Sequence, residues 1–111
     1  TTYKDIKKVF QWINEAVFNG KLSPFKEITI RDLRPIKCFG QVTQWEWKRK
    51  GTQSFHLEMA DKYRNKKEFI STLAHEMVHL YQMRNAGDSG NHNALFYSFR
   101  KPMGRAGIDM I

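Results

Sequence analysis

A chain of 111 residues is long enough for one hydrophobic core and too short for two, and 41% hydrophobic with 27% charged residues describes a globular domain rather than a disordered or fibrous one. No apolar run approaches the roughly 20 residues needed to cross a bilayer, the N-terminus lacks the basic-then-apolar order of a secretion signal, and the single cysteine, Cys38, excludes an intrachain disulfide. One domain over residues 1–111 is expected, monomeric and cytoplasmic, associated with the nucleoid or, if viral, in the host cytoplasm, with Cys38 as a small buried residue. A net charge of +8 attracts polyanions by long-range fields and counterion release, so nucleic acid is the first partner to consider.

In chain order, Ile6, Val9, Phe10, Ile13 and Val17 recur at three- and four-residue spacing and predict a helix over 3–19, stopped by Asn19-Gly20. Ile28 and Ile30 alternate with Thr29 as in a half-buried strand over 27–31. The aromatic and β-branched segment from Ile36 to Trp47 predicts a second strand, bending at Gly40. After the turn at Lys48 to Gly51, Phe55, Leu57 and Met59 alternate with His56 and Glu58, predicting a third strand antiparallel to the second. A long helix is predicted over 66–84, with Ile70, Leu73, Met77, Leu80 and Tyr81 facing the core. A loop from Ala86 to Gly90 and a last helix over 93–105 complete the α+β pattern.

The long helix carries His75-Glu76-Met77-Val78-His79, the H-E-x-x-H arrangement. Residues four apart lie on one helix face, so both imidazoles can reach one ion at about 2.0–2.1 Å, the distance zinc requires. Zinc brings the pKa of water toward roughly 7, and a neighbouring carboxylate, here Glu76, can then take the proton and pass it to a leaving amine. Catalytic zinc takes three protein ligands and keeps one position open. His92, thirteen residues beyond His79 at the far end of a glycine-bearing loop, is the candidate third ligand, and Asp88 is the nearest alternative. His56, on the strand face opposite Phe55 and Leu57, reads as structural or solvent-facing.

The run Thr72-Leu73-Ala74-His75-Glu76-Met77-Val78-His79, followed by Gly90-Asn91-His92 and Phe96, closely resembles the SprT-like metallopeptidases. The likeness extends to Phe18-Asn19-Gly20-Lys21-Leu22 at the end of the first helix and to Phe39-Gly40-Gln41-Val42-Thr43. It therefore spans nearly the whole chain. It implies a zincin-like fold, with helices packed on a small three-stranded sheet and the H-E-x-x-H helix beside it. It also implies one catalytic zinc on His75, His79 and His92, with Glu76 as general base in a mechanism of the gluzincin and metzincin kind. The implied substrates are proteins associated with DNA. The chain departs from the family pattern in reading His92-Asn93-Ala94-Leu95-Phe96 where members often have His-Gly-Pro-Glu-Phe, and in carrying no cysteine-rich zinc ribbon after the catalytic region. It thus resembles a minimal catalytic domain, as a compact genome such as a phage's would encode.

Trp45, Trp47, Lys48, Arg49 and Lys50 combine rings with cations at a hairpin tip, a composition suited to stacking single-stranded or junction DNA. An exposed strand edge of the hairpin could receive an extended peptide by strand addition. Two other readings stay open: a non-proteolytic DNA-binding or host-interaction module with a structural zinc, and a zinc hydrolase of some non-peptide bond.

Overall fold

The computed structural model describes residues 1–47, 49, 51–87 and 90–110. Helix α1 spans Tyr3–Phe18. The Thr2 hydroxyl caps it by accepting from the Asp5 N–H at 3.2 Å, and Asn19 and Gly20 end it in left-handed conformations, φ 55° and 72°. Ile6, Phe10 and Ile13 are buried, while Val9 and Val17 are half-buried at the margin of the stripe. The Asn14 side chain then grips the returning chain: its Nδ2 donates to the Leu22 carbonyl at 2.8 Å, and its Oδ1 accepts from the Leu22 N–H at 3.0 Å.

Three strands follow: β1 at Glu27–Arg31, β2 at Gly40–Trp47 and β3 at Thr52–Ala60. Their order is β1-β3-β2, with β1 parallel and β2 antiparallel to the central β3. The expected hairpin of β2 and β3 is present. The expected start of β2 is not, because Arg34–Ile36 forms a turn of 3-10 helix closed by Lys37 at φ 55°. Proline fixes a helical φ, so Pro35 suits this turn and delays pairing until Gly40. Gly40 is therefore the first residue of the strand rather than a bend inside it. Cys38, expected to be buried, is partly exposed, since it lies on this turn beside a cleft.

The inward residues of β3, Phe55, Leu57 and Met59, are buried and the outward ones, His56 and Glu58, are half-buried, as period-2 alternation requires. On the outer face Glu58 pairs with Arg31 of β1 and accepts from Gln41 Nε2 of β2 at 2.6 Å. His56 lies between Glu27, 3.3 Å from its Nδ1, and the Ser54 hydroxyl, 3.2 Å from its Nε2. Salt and hydrogen bonding across the sheet thus account for the polar face.

Helix α2 spans Lys66–Asn85, capped by the Asn65 side chain accepting from the Glu68 N–H at 2.8 Å. Leu73, Met77 and Leu80 are fully buried, whereas Ile70 and Tyr81 are only half-buried. Phe69, Ala74 and Val78 are buried as well, because α2 packs against α1 on one side and the sheet on another. The single last helix expected over 93–105 is divided into α3, Ala94–Ser98, and α4, Arg100–Arg105. Pro102 explains the division, since its ring would collide with the Ser98 carbonyl in a continuous helix and it has no N–H to offer. In the first turn of α4 that missing donor costs nothing. The core joins α1, β3, α2, Phe96 and Met103, giving the α+β arrangement of helices packed on a three-stranded sheet.

Candidate metal centre

His75 and His79 project from α2 one turn apart, with their Nε2 atoms 3.0 Å apart. His92, in the loop before α3, brings its Nε2 to 3.3 Å from that of His79. Ligand atoms of all three lie within 4.8 Å of one another. Nitrogens at about 2.0–2.1 Å from a tetrahedral ion are themselves about 3.3 Å apart, so this separation fits a shared zinc. Three neutral imidazole nitrogens also form the donor set that suits zinc chemically. The alternative third ligand, Asp88, lies outside the described residues.

A single ring organises the cluster. Phe96, 1% exposed on α3, stacks on His92 at 4.4 Å and 14°, lies at 22° to His79 with centroids 5.0 Å apart, and meets His75 edge-on at 4.9 Å. The Asn93 side chain caps α3 by accepting from the Phe96 N–H at 3.1 Å, so the capping residue next to His92 also sets the ring beneath the histidines. Gly90 opens the loop at φ 81°, and any Cβ there would lie 2.7 Å from Met83 Cε and 3.5 Å from His79 Nδ1. The positive φ is what favours glycine here, since the end of the flexible Met83 side chain could move aside.

Glu76 is 6% exposed, and burial pushes its carboxyl up to about 8. A cation on the neighbouring imidazoles would favour the charged form again. Gly40 lies beside the Glu76 side chain and leaves it room: a Cβ there would meet Glu76 Cγ at 3.3 Å, the Glu58 carbonyl oxygen at 3.3 Å and Thr72 Cγ2 at 3.1 Å. Tyr63 holds the approach to Gly40: its hydroxyl donates to the Phe39 carbonyl at 2.6 Å and accepts from the Ala60 N–H at 3.0 Å. Burial raises the Tyr63 phenol well above its ordinary value, which keeps it a donor. A cleft of about 250 Å³ opens here, bordered by Cys38, Phe39, Gly40, Thr72, His75 and Glu76. A larger cavity of about 890 Å³ lies between α1 and the start of α2. Its lining includes neither Glu76 nor any of the three histidines, whereas the smaller cleft is bordered by His75 and Glu76.

The hairpin residues are remote from this cluster. Trp45 is 55% exposed with its ring against His56 at 5.3 Å, and Arg49 is exposed. The Trp47 side chain, Lys48 and Lys50 lie outside the described residues. With a rise of roughly 3.4 Å per residue, Trp47 stands about 24 Å along β2 from Gly40. His56 is not part of the histidine cluster. Sequence reasoning assigned no role to Tyr63 or Gln82. The signal for Gln82 was its place three residues after His79, on an adjoining part of the helix surface.

Helices on a small mixed sheet, with three histidines gathered at one point, define an α+β domain with a candidate metal site. A model described as the SprT-like family matches residues 6–108, nearly the whole chain, and the chain belongs to that family. No curated protein and no solved structure matches it. Among the described residues, no helix is long and apolar enough to cross a membrane.

Proposed function

We propose that the chain is a zinc-dependent endopeptidase acting on proteins associated with DNA, built on a zincin-like arrangement. The observation that carries this reading is the convergence of His75, His79 and His92, with His75 and the buried Glu76 bordering a cleft. The three histidines would hold zinc, which when bound supplies Lewis acidity, polarising a carbonyl and acidifying water. Glu76 acts as general base, taking a proton from the attacking water and delivering it to the amine nitrogen as the peptide C–N bond breaks. Glycine at position 40 leaves room beside the Glu76 side chain, since any Cβ there would lie 3.3 Å from its Cγ. Among the described residues strand β2 pairs only with β3, so its other edge can accept an extended peptide beside the cleft.

The +8 charge and the exposed Trp45 and Arg49 support nucleic acid as the element that gathers substrate. Their distance from the cleft also gives weight to a second reading, a DNA-binding or host-interaction module with a structural zinc, because binding and hydrolysis would occupy separate surfaces. Glu76→Gln separates the two. The variant is expected to retain zinc and DNA binding and to lose cleavage of a DNA-associated protein; unchanged turnover would refute the role of Glu76. Wild-type protein that binds zinc and DNA but cleaves nothing leaves the binding module.

A further inference from the structure

We infer that Gln82 is a positioning residue that sets the tautomer of His79 and ties it to the loop carrying His92. This rests on the reading of those histidines as metal ligands. Gln82 is fully buried on α2. One end of its amide lies 2.9 Å from His79 Nδ1, and the other donates to the Asn91 carbonyl at 2.8 Å and to Asn93 Oδ1 at 3.1 Å.

The proton positions follow from the backbone. The Phe96 N–H can only donate, so the Asn93 side-chain atom it meets at 3.1 Å is the oxygen. The Asn91 atom is a carbonyl oxygen and can only accept. The Gln82 atom facing both oxygens is therefore its nitrogen, and the atom facing His79 is its oxygen. An amide oxygen accepts, so neutral His79 carries its proton on Nδ1. Its Nε2 then presents a lone pair toward Nε2 of His75 and His92. A chain of directed bonds running from the capped end of α3 to the middle of α2 thus decides which nitrogen of His79 is available to a metal. It also anchors the residues on either side of His92. Gln82 touches neither substrate nor metal in this arrangement and acts through His79 and the loop.

Nitrogen-15 NMR of metal-free protein labelled in its histidines reads the tautomer directly, at about pH 8 where ordinary imidazoles are neutral. The expected result is His79 protonated on Nδ1; protonation on Nε2 overturns the proposal. In Gln82→Met, which keeps much of the volume and loses the amide, that preference is expected to weaken. Zinc affinity, measured by competition with a chromophoric chelator on folded protein, should fall about 10- to 100-fold. Unchanged tautomer and affinity in a folded Gln82→Met also overturn it. Should that variant fail to fold, the wild-type spectrum decides alone. Wild-type protein that takes up no zinc refutes the metal reading, an outcome distinct from a wrong tautomer.

Discussion

Phe96 offers a quantitative test of how the centre is assembled, because one fully buried ring contacts all three candidate ligands. Replacing it with alanine removes the ring from the core and leaves a cavity, for which Phe→Ala changes cost about 3–5 kcal/mol. In a domain of this size each kcal/mol lowers the melting temperature by roughly 4 °C, so metal-free Phe96→Ala should melt about 12–20 °C below wild type. Phe10→Ala, in α1, removes a comparable ring that forms its aromatic pair with Phe25 rather than with a histidine. The two variants should lose similar stability and differ in metal binding. Chelator competition at a temperature where both remain folded is expected to show zinc affinity near wild type for Phe10→Ala and about 10-fold or more weaker for Phe96→Ala. Equal zinc affinities would refute the view that Phe96 organises the ligands. A Phe96→Ala melting curve matching wild type would refute its place in the core.

Two further substitutions probe the surroundings. Gly40→Ala brings a Cβ within 3.3 Å of Glu76 Cγ and of the Glu58 carbonyl oxygen, so it should displace the carboxylate and reduce peptide cleavage while leaving zinc content intact; undiminished turnover would show that the Glu76 side chain accommodates the added methyl. For Glu58, the Arg31 hydrogen bond is the first cause holding its carboxyl below the ordinary 4.5. A depressed folded pKa contributes stability above the unfolded value that is lost as pH falls through the folded one. Denaturant titrations of Glu58→Gln should therefore show a shallower loss of stability below pH 4.5 than wild type, a difference under about 1 kcal/mol for this partly exposed pair. Identical pH profiles would count against the pair.

Local interactions made much of this protein legible from its sequence. The 3.6-residue period of Ile6, Phe10 and Ile13, the Asn19-Gly20 stop and the alternation of Phe55, Leu57 and Met59 report elements whose stability is local or whose buried face repeats regularly. His75, Glu76 and His79 were legible for the same reason, since a helix relates residues one turn apart without help from the rest of the chain. Where Pro35 and Pro102 act, element boundaries depend on steric conflicts that a hydrophobic pattern does not encode, so the second strand starts later than its pattern predicts and the last helix is divided in two. The sequence by itself determined the α+β pattern, the two helical histidines with their glutamate, and His92 as a candidate.

Only the tertiary structure decided how those parts meet. It brought the His92 nitrogen to 3.3 Å from His79, put Phe96 beneath three rings and Gly40 against Glu76, and assigned β3 to the centre of the sheet. It also left Trp45 exposed where a strand tryptophan usually packs inside, and directed the Gln82 amide toward His79, Asn91 and Asn93. The physical reason is that each of these contacts joins segments separated in sequence. Their geometry is set by the shared core and the close approach of backbones, neither of which any single stretch of chain contains.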